Sequence, residues 1–389
     1  MIVGVLKEPV SGEKRVAATP ESVKQLVAAG LKVSFQKGAG VAAGYADDDY
    51  NAAGATVAAS VDVAKVDVLA HVRPLAPATI KKLKKGTITM GLASPASEAA
   101  AVKALRDQGV TSFALELVPR ISRAQSMDAL TSQALVAGYR CVLEAGMRLP
   151  RFFPLYMTAA GTVPPATVLV LGAGVAGLQA IATAKRLGAK VNAYDVRSAS
   201  ADEVRSMGGT FIELDLDVAA DGAGGYAKEL AADRVARQQE LLTPYVSAAD
   251  VIITTAAIPG RPAPRLITAT MMKDMKPGSV IIDLAAETGG NVEGSKPGVD
   301  VSVSVGKSGG AITLVGMKDV PSTMAYDASR LYAKNVANLL ELMTKDKAVK
   351  PDFEDEVVAG ACLTHAGEIR HQPTAEALAP ASSANKGTK

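Results

Sequence analysis

Short runs of aliphatic and β-branched residues alternate along the chain with longer segments whose apolar residues recur at helical spacing. In the first third of the chain, a helical pattern over residues 22–29 ends at Gly30, and Pro20 stands at the first helical position. The apolar runs around this helix predict strands at residues 2–6, 32–36, 66–70, 87–90 and 112–115. Because strands that alternate with helices are typical of α/β proteins, we expect a doubly wound domain here.

The same alternation continues through the middle of the chain, where the apolar runs are more continuous. Such runs are typical of strands that are buried on both faces of a parallel sheet, and they predict strands at residues 168–171, 190–194, 251–255, 279–283 and 311–315. After Pro321, residues 327–344 again show a helical pattern, which includes Leu331, Val336 and Leu340. Because this helix is long enough to return to the first domain, we expect that domain to be discontinuous.

A glycine-rich turn joins the predicted strand 168–171 to a helical pattern over residues 178–187. In a GxGxxG turn the first glycine permits the tight turn, the second lets the backbone approach a pyrophosphate, and the third lets the helix pack on the strand. The pyrophosphate then lies at the positive N-terminus of the helix. A turn that only packs a helix on a sheet is the alternative, but the position between strand and helix favours a dinucleotide site.

The next predicted strand ends at Asp195, which indicates which dinucleotide is bound. A carboxylate here accepts hydrogen bonds from the ribose hydroxyls and repels a 2′-phosphate, so it favours NAD(H) over NADP(H), although Arg197 weakens that preference. The residues that we predict to bind the cofactor in this region are Gly172, Gly174, Val175, Ala176, Gly177, Asp195, Val196 and Arg197.

These observations predict the fold class and the domains. We expect an α/β protein with two doubly wound, Rossmann-like domains separated by a cleft. The first domain comprises residues 1–130 and 321–375, and the NAD(H)-binding domain comprises residues 131–320. Residues 376–389 are rich in Ala, Ser and Pro, so they are predicted to form a flexible tail.

The composition excludes several classes of function. The 42 basic and 39 acidic residues leave a formal net charge of +3, which provides no basic surface for nucleic acid. Cys141 and Cys362 lie far apart and the three histidines form no local cluster, so we expect neither a disulfide framework nor a metal site. Residues 1–9 contain no basic leader or cleavage site, so we expect the protein to stay in the cytoplasm.

Several ordered strings extend over nearly the whole chain. They are Lys7-Glu8, Arg15-Val16-Ala17, Thr19-Pro20, residues 119–128 (PRISRAQSMD), residues 158–165 (TAAGTVPP), the glycine turn, residues 224–228 (GGYAK), residues 258–264 (IPGRPAP) and residues 275–285 (MKPGSVIIDLA). Together they resemble the NAD(H)-binding alpha subunit, or domain I, of proton-translocating NAD(P)+ transhydrogenase. More distantly, they resemble alanine dehydrogenase.

The resemblance implies roles for residues outside the glycine turn. Arg120, Gln125 and Asp128 would orient the nicotinamide for direct hydride transfer, with Thr131 keeping a hydroxyl where the family commonly has serine. A capped, charged helix start is the alternative interpretation of this segment. Residues 258–260 would border the nicotinamide ribose, so Ile258 and its neighbour Ala257 are assigned to the cofactor site, although Ala257 equally suits packing.

The glycine-rich segment at residues 219–228 lies between the second and third strands of the nucleotide domain. Its composition fits either a mobile lid or a plain surface loop. The resemblance favours the lid, on which Tyr226 would close over the bound nucleotide and exclude water.

The choice between the two relatives depends on acid–base residues, because a dehydrogenase must deprotonate its substrate whereas hydride transfer alone needs no proton acceptor. Alanine dehydrogenases have a histidine where this chain has Gly91, a lysine where it has Arg73, and an aspartate where it has Glu287. Arg15 remains, but a structural ion pair suits it better than substrate binding. His71 is more typical of a buried structural histidine than of a substitute base.

The resemblance therefore implies an NAD(H)-binding subunit that passes hydride from NADH to NADP+, which is held on a partner beta subunit. A membrane subunit would couple this reaction to proton translocation, and NADP(H) would bind only to the partner. The chain would be a homodimer, active only with its partner subunits and held by them at the cytoplasmic face of the inner membrane. An alanine dehydrogenase-like enzyme and a non-catalytic NAD(H)-binding module remain the alternatives.

Overall fold

The structure, a computed structural model, describes residues 1–215, 232–258, 261–306 and 309–379 of the 389-residue chain. It divides into two compact units. Unit 1 comprises Met1–Gln133 and the chain from Pro321 onward, and unit 2 comprises Ala134–Val320. None of the helices in the described ranges has both the length and the apolar character needed to cross a membrane.

The strands are numbered along the chain. They are β1 (Ile2–Val5), β2 (Lys32–Gln36), β3 (Thr56–Ala58), β4 (Val68–Ala70), β5 (Ile88–Gly91), β6 (Thr111–Ala114), β7 (Tyr156–Thr158), β8 (Gly161–Val163), β9 (Thr167–Leu171), β10 (Lys190–Tyr194), β11 (Thr210–Phe211), β12 (Val251–Thr254), β13 (Val280–Asp283), β14 (Asp300–Val305), β15 (Gly310–Gly316), β16 (Thr344–Lys345), β17 (Ala348–Val349), β18 (Cys362–His365) and β19 (Glu368–Ile369).

The helices are numbered in the same way. They are α1 (Pro20–Ala28), α2 (Asp47–Ala52), α3 (Pro77–Ile80), α4 (Ala99–Asp107), α5 (Ala129–Arg148), α6 (Val175–Arg186), α7 (Ser200–Ser206), α8 (Ala232–Ala248), α9 (Ala269–Met272), α10 (Ala325–Leu342), α11 (Glu356–Ala361) and α12 (Gln372–Leu378). Short 3-10 turns include Ser122–Met127, which directly precedes Asp128 and α5. The boundary between the two units lies inside α5.

The sheet of unit 1 has the strand order β19-β18-β6-β5-β4-β1-β2-β3. Strands β1 to β6 are mutually parallel, and β18 pairs with β6 in the antiparallel direction. Helix α1 begins as the sequence predicts, because Pro20 occupies its first turn and Thr19 caps it. The cap is reciprocal: the Thr19 side chain accepts the Ser22 amide, and the Ser22 hydroxyl accepts the Thr19 amide.

The sheet of unit 2 has the strand order β11-β10-β9-β12-β13-β15-β14. All of its neighbouring strands are parallel except β14, which pairs antiparallel with β15 at one edge. Successive side chains of β9 point to opposite faces, so Val168 and Val170 enter one apolar core while Leu169 and Leu171 enter the other. Burial on both faces explains why these strands are continuous apolar runs in the sequence.

The prediction of two doubly wound, Rossmann-like α/β domains is confirmed, because six strands of each sheet follow the 3-2-1-4-5-6 order of that fold. In unit 1 these are β3-β2-β1-β4-β5-β6, and in unit 2 they are β11-β10-β9-β12-β13-β15. Some element limits differ from the sequence prediction. Strand β4 begins at Val68 rather than at residue 66, and β12 ends at Thr254 rather than at Thr255. Helix α12 continues to Leu378, so the first three residues of the predicted tail are helical.

Candidate functional site

The glycine turn lies between β9 and α6, at the point where the strand order of unit 2 reverses. Gly172 has a φ of 101°, which side chains rarely tolerate, and a Cβ atom there would lie 2.7 Å from Oγ1 of Thr255. The Thr255 hydroxyl donates a hydrogen bond of 3.0 Å to the Gly172 carbonyl oxygen. The turn is therefore tied to the segment that follows β12, at the carboxyl edge where such sheets bind ligands.

The other two glycines have separate steric tasks. A Cβ atom on Gly177 would lie 1.8 Å from the Gly172 carbonyl oxygen, so only glycine lets α6 approach the turn this closely. A Cβ atom on Gly174 would meet nothing within 4 Å among the described residues, so none of them occupies the space over this glycine. The close approach predicted for Gly177 is thus seen, whereas the role of Gly174 at a pyrophosphate stays a prediction.

The N-terminus of α6 has donors without acceptors. Within the described ranges no side chain caps the helix, and no group accepts a hydrogen bond from the amides of Val175 or Ala176. Orphan amides at the positive end of a twelve-residue helix, beside the open space at Gly174, are suited to a pyrophosphate. The residues present therefore fit the phosphate groups of a dinucleotide.

Asp195 directly follows β10, and its side chain is 7% exposed. Its Oδ2 atom accepts the Ala173 amide at 2.7 Å, which places the carboxylate beside the glycine turn. The guanidinium of Arg197 donates to both carboxylate oxygens at 2.9 Å, and the Arg197 amide donates to Oδ1 at the same distance. Asp195 is thus held by the turn and by Arg197, while Val196 packs against the apolar core behind it.

Residues 120–128 lie in unit 1. Asp128 precedes α5 and acts as its cap, because its carboxylate accepts the Thr131 amide at 2.9 Å and the Thr131 hydroxyl at 2.6 Å. The structure therefore brings Asp128 and Thr131 together and shows the capped helix start that the sequence offers as an alternative. Arg120 and Gln125 are exposed on the same short segment.

The remaining predicted cofactor residues are less completely placed. Ala257 is exposed and Ile258 is half-buried, and both follow β12 at the carboxyl edge of the sheet. Tyr226, with the rest of the glycine-rich segment at 219–228, lies outside the described residues, as do residues 259 and 260. Gly138 was not anticipated: a Cβ atom there would lie 2.1 Å from the Ala176 carbonyl oxygen, so this glycine lets α5 pack against the start of α6.

A buried ion-pair cluster lies near the carboxyl edge of the sheet in unit 1. The side chain of Glu13 is fully buried and contacts Arg15 at 2.7 Å and Arg73 at 2.7 Å. Burial alone would raise the pKa of Glu13, but the hydrogen bonds and charge of Arg15, together with the charge of Arg73, outweigh it and lower the pKa to about 2. Arg15 also donates to Gln133 at 2.9 Å, and its contact with Glu13 is the structural ion pair that the sequence favours.

Gly91 and His71 occupy adjacent space in this region. A Cβ atom on Gly91 would lie 2.3 Å from the His71 carbonyl oxygen and 2.5 Å from its Nδ1 atom. His71 Nδ1 lies 2.7 Å from the Arg73 carbonyl oxygen, which can only accept, so Nδ1 carries the proton. Burial lowers the pKa of His71 to about 4, so the ring is neutral at physiological pH. The histidine side chain of a dehydrogenase therefore has no room at position 91.

The two sheets and the glycine turn define a two-domain α/β protein of the Rossmann type. Two family models together match most of the chain: "Alanine dehydrogenase/PNT, N-terminal domain" over residues 4–137 and "Alanine dehydrogenase/PNT, C-terminal domain" over residues 141–372. The chain belongs to the alanine dehydrogenase/PNT family, and its close homologues are transhydrogenase alpha subunits.

Individual relatives support this assignment. The chain is 48% identical to an NAD(P) transhydrogenase alpha-subunit protein of Rhodospirillum rubrum, with 95% of this chain and 98% of the relative covered. A solved transhydrogenase structure from Sinorhizobium meliloti is 41% identical, with a TM-score of 0.83 and coverage of 96% of this chain and 100% of that one. "Alanine dehydrogenase 1" of Staphylococcus aureus is 28% identical over 96% of this chain and 95% of the relative.

Proposed function

We propose that this chain is the NAD(H)-binding subunit of a proton-translocating transhydrogenase, which passes hydride directly from NADH to NADP+ on a partner subunit. The observation that carries the proposal is the uncapped N-terminus of α6 beside the open space at Gly174, with Asp195 next to the turn. The 48% identity to a transhydrogenase alpha subunit supports this choice within the family.

Unit 2 is proposed to hold the nucleotide. The amides of Val175 and Ala176 would bind the pyrophosphate, and Asp195 would accept hydrogen bonds from the ribose hydroxyls. When bound, NADH supplies the hydride. Ala257 and Ile258, at the end of β12, would lie along the nicotinamide ribose.

Unit 1 is proposed to orient the nicotinamide through Arg120, Gln125, Asp128 and Thr131. None of these residues needs to exchange a proton, since direct hydride transfer depends on the separation and alignment of the two reacting carbons. The hydrogen bonds from Thr131 fix the Asp128 carboxylate, which supports a positioning role rather than an acid–base role. Tyr226 is proposed to close over the nucleotide and exclude water.

The surroundings of Gly91 argue against alanine dehydrogenase activity. The neutral ring of His71 fills the space that a base at position 91 would need, and Nδ1 is already bonded to the Arg73 carbonyl. Arg15 is paired with the buried carboxylate of Glu13. We therefore expect no alanine-dependent reduction of NAD+.

An isotope experiment tests the proposed reaction. The chain is mixed with the NADP(H)-binding domain of a transhydrogenase, NADP+ and NADH deuterated at the transferred hydrogen, and the NADPH formed is analysed by mass spectrometry. Deuterium in NADPH without exchange with water is the expected result, because the hydride passes directly between the two rings. Absence of transfer, or NADH formation from L-alanine and NAD+ in the control, would refute the proposal.

We also propose that the chain forms a homodimer through the hairpin of β7 and β8. Among the described strands these two pair only with each other, and Met157 is 76% exposed at this hairpin. Phe152, Leu155 and Tyr156 are exposed beside it, and a cluster of exposed large apolar side chains marks an interaction surface. Met157→Asp is expected to yield monomers in sedimentation experiments, and an unchanged dimer would exclude this surface.

The remaining components of the assembly are proposed to lie on other chains. An NADP(H)-binding beta subunit would supply the hydride acceptor, and a membrane subunit would couple hydride transfer to proton movement. These partners would hold the chain at the cytoplasmic face of the inner membrane. The Rhodospirillum rubrum relative is named as a subunit, which supports the expectation of further subunits.

A further inference from the structure

The 3-10 segment Ser122–Met127, which leads to Asp128, is anchored by α10. The Ser126 carbonyl oxygen accepts two side-chain hydrogen bonds, from Nδ2 of Asn335 at 2.9 Å and from Nδ2 of Asn338 at 3.0 Å. The two asparagines are three residues apart, so they lie on one face of the helix. A helix more than 200 positions further along the chain therefore fixes the backbone of this segment.

Asn335 also holds the other side of Asp128. Its Oδ1 atom accepts the Ser132 hydroxyl at 2.7 Å, so one side-chain amide connects a residue before Asp128 to a residue after it. Asn335 is 6% exposed, and both ends of its amide are used. Only a neutral amide provides a donor and an acceptor here, since a carboxylate cannot donate to the Ser126 carbonyl.

Asn338 makes a similar pair of contacts at a more accessible position. It is more exposed than Asn335, and its Oδ1 atom accepts a hydrogen bond of 3.0 Å from Gln25. An aspartate at position 338 would keep this acceptor, lose the donor to Ser126 and place a carboxylate oxygen against the Ser126 carbonyl oxygen. Arg123 of the same segment forms a bidentate ion pair with Asp355 at 2.9 and 3.0 Å and contacts Glu356 at 3.2 Å, but these bonds hold the Arg123 side chain and not the Ser126 backbone.

We propose that Asn335 and Asn338 are positioning residues for hydride transfer, which act through the Ser126 carbonyl on Gln125 and Asp128. This inference rests on the proposed function, in which those two residues orient the nicotinamide. An error of about 1 Å in the position of reacting groups costs roughly 100-fold in rate, so a relaxed segment lowers the transfer rate without loss of nucleotide binding.

The test compares Asn335→Asp and Asn338→Asp with Asn51→Asp, which makes the same chemical change at an exposed position of unit 1. We expect the two test variants to lower hydride transfer to the partner domain by about 10- to 100-fold. The dissociation constant of NADH, measured without the partner, is expected to stay within about twofold, because the pyrophosphate site lies in unit 2. Asn51→Asp is expected to match the wild type in both measurements.

Two further measurements separate positioning from general stability. Hydrogen exchange of residues 120–132 in the nucleotide-free chain is expected to accelerate in the variants while the core strands stay protected. Gln125→Ala is expected to cost less transfer activity in the Asn338→Asp background than in the wild type, because the two changes act through one segment. If the buried charge prevents Asn335→Asp from folding, Asn338→Asp alone tests the positioning role.

The outcomes distinguish the two proposals. Slower hydride transfer, faster hydrogen exchange confined to residues 120–132 and an unchanged dissociation constant of NADH together support the positioning role. Any one of three results overturns the positioning role while the proposed function stands. They are a hydride-transfer rate within twofold of the wild type, unchanged hydrogen exchange of residues 120–132, and losses of transfer activity that add fully with that of Gln125→Ala. A wild-type chain that transfers no hydride overturns both.

Discussion

Asp195→Asn tests whether Asp195 selects NADH over NADPH at the nucleotide site proposed for unit 2. The carboxylate is 7% exposed, and within the described part of the chain it accepts four hydrogen bonds, one from Ala173 and three from Arg197. An asparagine has almost the same shape, so the Ala173 amide keeps an acceptor while the negative charge is lost. The variant therefore changes the charge beside the proposed ribose site more than it changes the packing.

The size of the effect follows from two terms. Hydrogen bonds to a charged group contribute about 1 kcal/mol more than neutral ones, so two ribose hydroxyls lose about 2 kcal/mol, or roughly 30-fold in NADH affinity. Two like charges about 4 Å apart repel by about 4 kcal/mol at a protein surface, and we take about half of this because Arg197 already offsets the charge of Asp195. NADPH keeps its 3′-hydroxyl and loses about 1 kcal/mol of this gain, so it is expected to bind roughly 5-fold more tightly, and the NADH/NADPH affinity ratio is expected to fall roughly 150-fold.

The assay is a fluorescence titration of each reduced nucleotide. The chain contains no tryptophan, so tryptophan emission does not interfere with the nicotinamide signal. The matched control is Asp202→Asn, which neutralises a carboxylate that is 93% exposed and ion-paired with Arg205. If the affinity ratio in Asp195→Asn stays within threefold of the wild type, or changes equally in the control, Asp195 does not select the nucleotide. Asp195→Asn/Arg197→Ala should lose the gain in NADPH affinity.

Two further predictions concern unit 1. Gly91→Ala is expected to destabilise the chain by about 1–3 kcal/mol in urea unfolding, because the new Cβ would lie 2.3 Å from the His71 carbonyl oxygen. The control is Gly146→Ala, whose Cβ would meet only an ordinary 3.6 Å contact. An equal loss of stability in both variants would contradict the steric argument. Glu13→Gln is expected to cost about 3 kcal/mol at about pH 7. Because the pKa of Glu13 is lowered from 4.5 to about 2, this stability advantage of the wild type is present above pH 4.5 and is lost as the pH falls towards 2. Urea unfolding at several pH values across that range should therefore show a shrinking difference in unfolding free energy between the wild type and Glu13→Gln.

The core of unit 2 could be predicted from the sequence because its signals are local. Strand β9, the glycine turn, α6 and Asp195 follow one another within 30 residues, and each has a distinct steric or electrostatic requirement. Apolar runs that are buried on both faces identified the central strands of both sheets. Local periodicity does not give the exact first and last residues of a strand, which explains the small differences between the predicted and observed ends of β4 and β12.

Contacts between distant residues could not be predicted. The bonds from Asn335 and Asn338 to Ser126 join positions more than 200 residues apart, and asparagines on a helical pattern give no signal for a partner. The hairpin of β7 and β8 was also missed, since its exposed side chains do not alternate between a buried and a solvent face. Glu13 stood close to Arg15 in the sequence, but its second partner, Arg73, lies 60 positions away.

The surroundings of His71 connect the fold to the choice between the two branches of this family. A residue serves as a general base when its pKa lies near the working pH and a lone pair faces the substrate. Burial lowers the pKa of His71 to about 4, its Nδ1 proton is committed to the Arg73 carbonyl, and the Tyr332 hydroxyl donates to the His71 carbonyl at 2.8 Å. His71 therefore packs and forms hydrogen bonds here, and it is not poised to act as a general base at neutral pH. A neutral and weakly basic His71 is compatible with the proposed hydride transfer, since that reaction needs no proton acceptor.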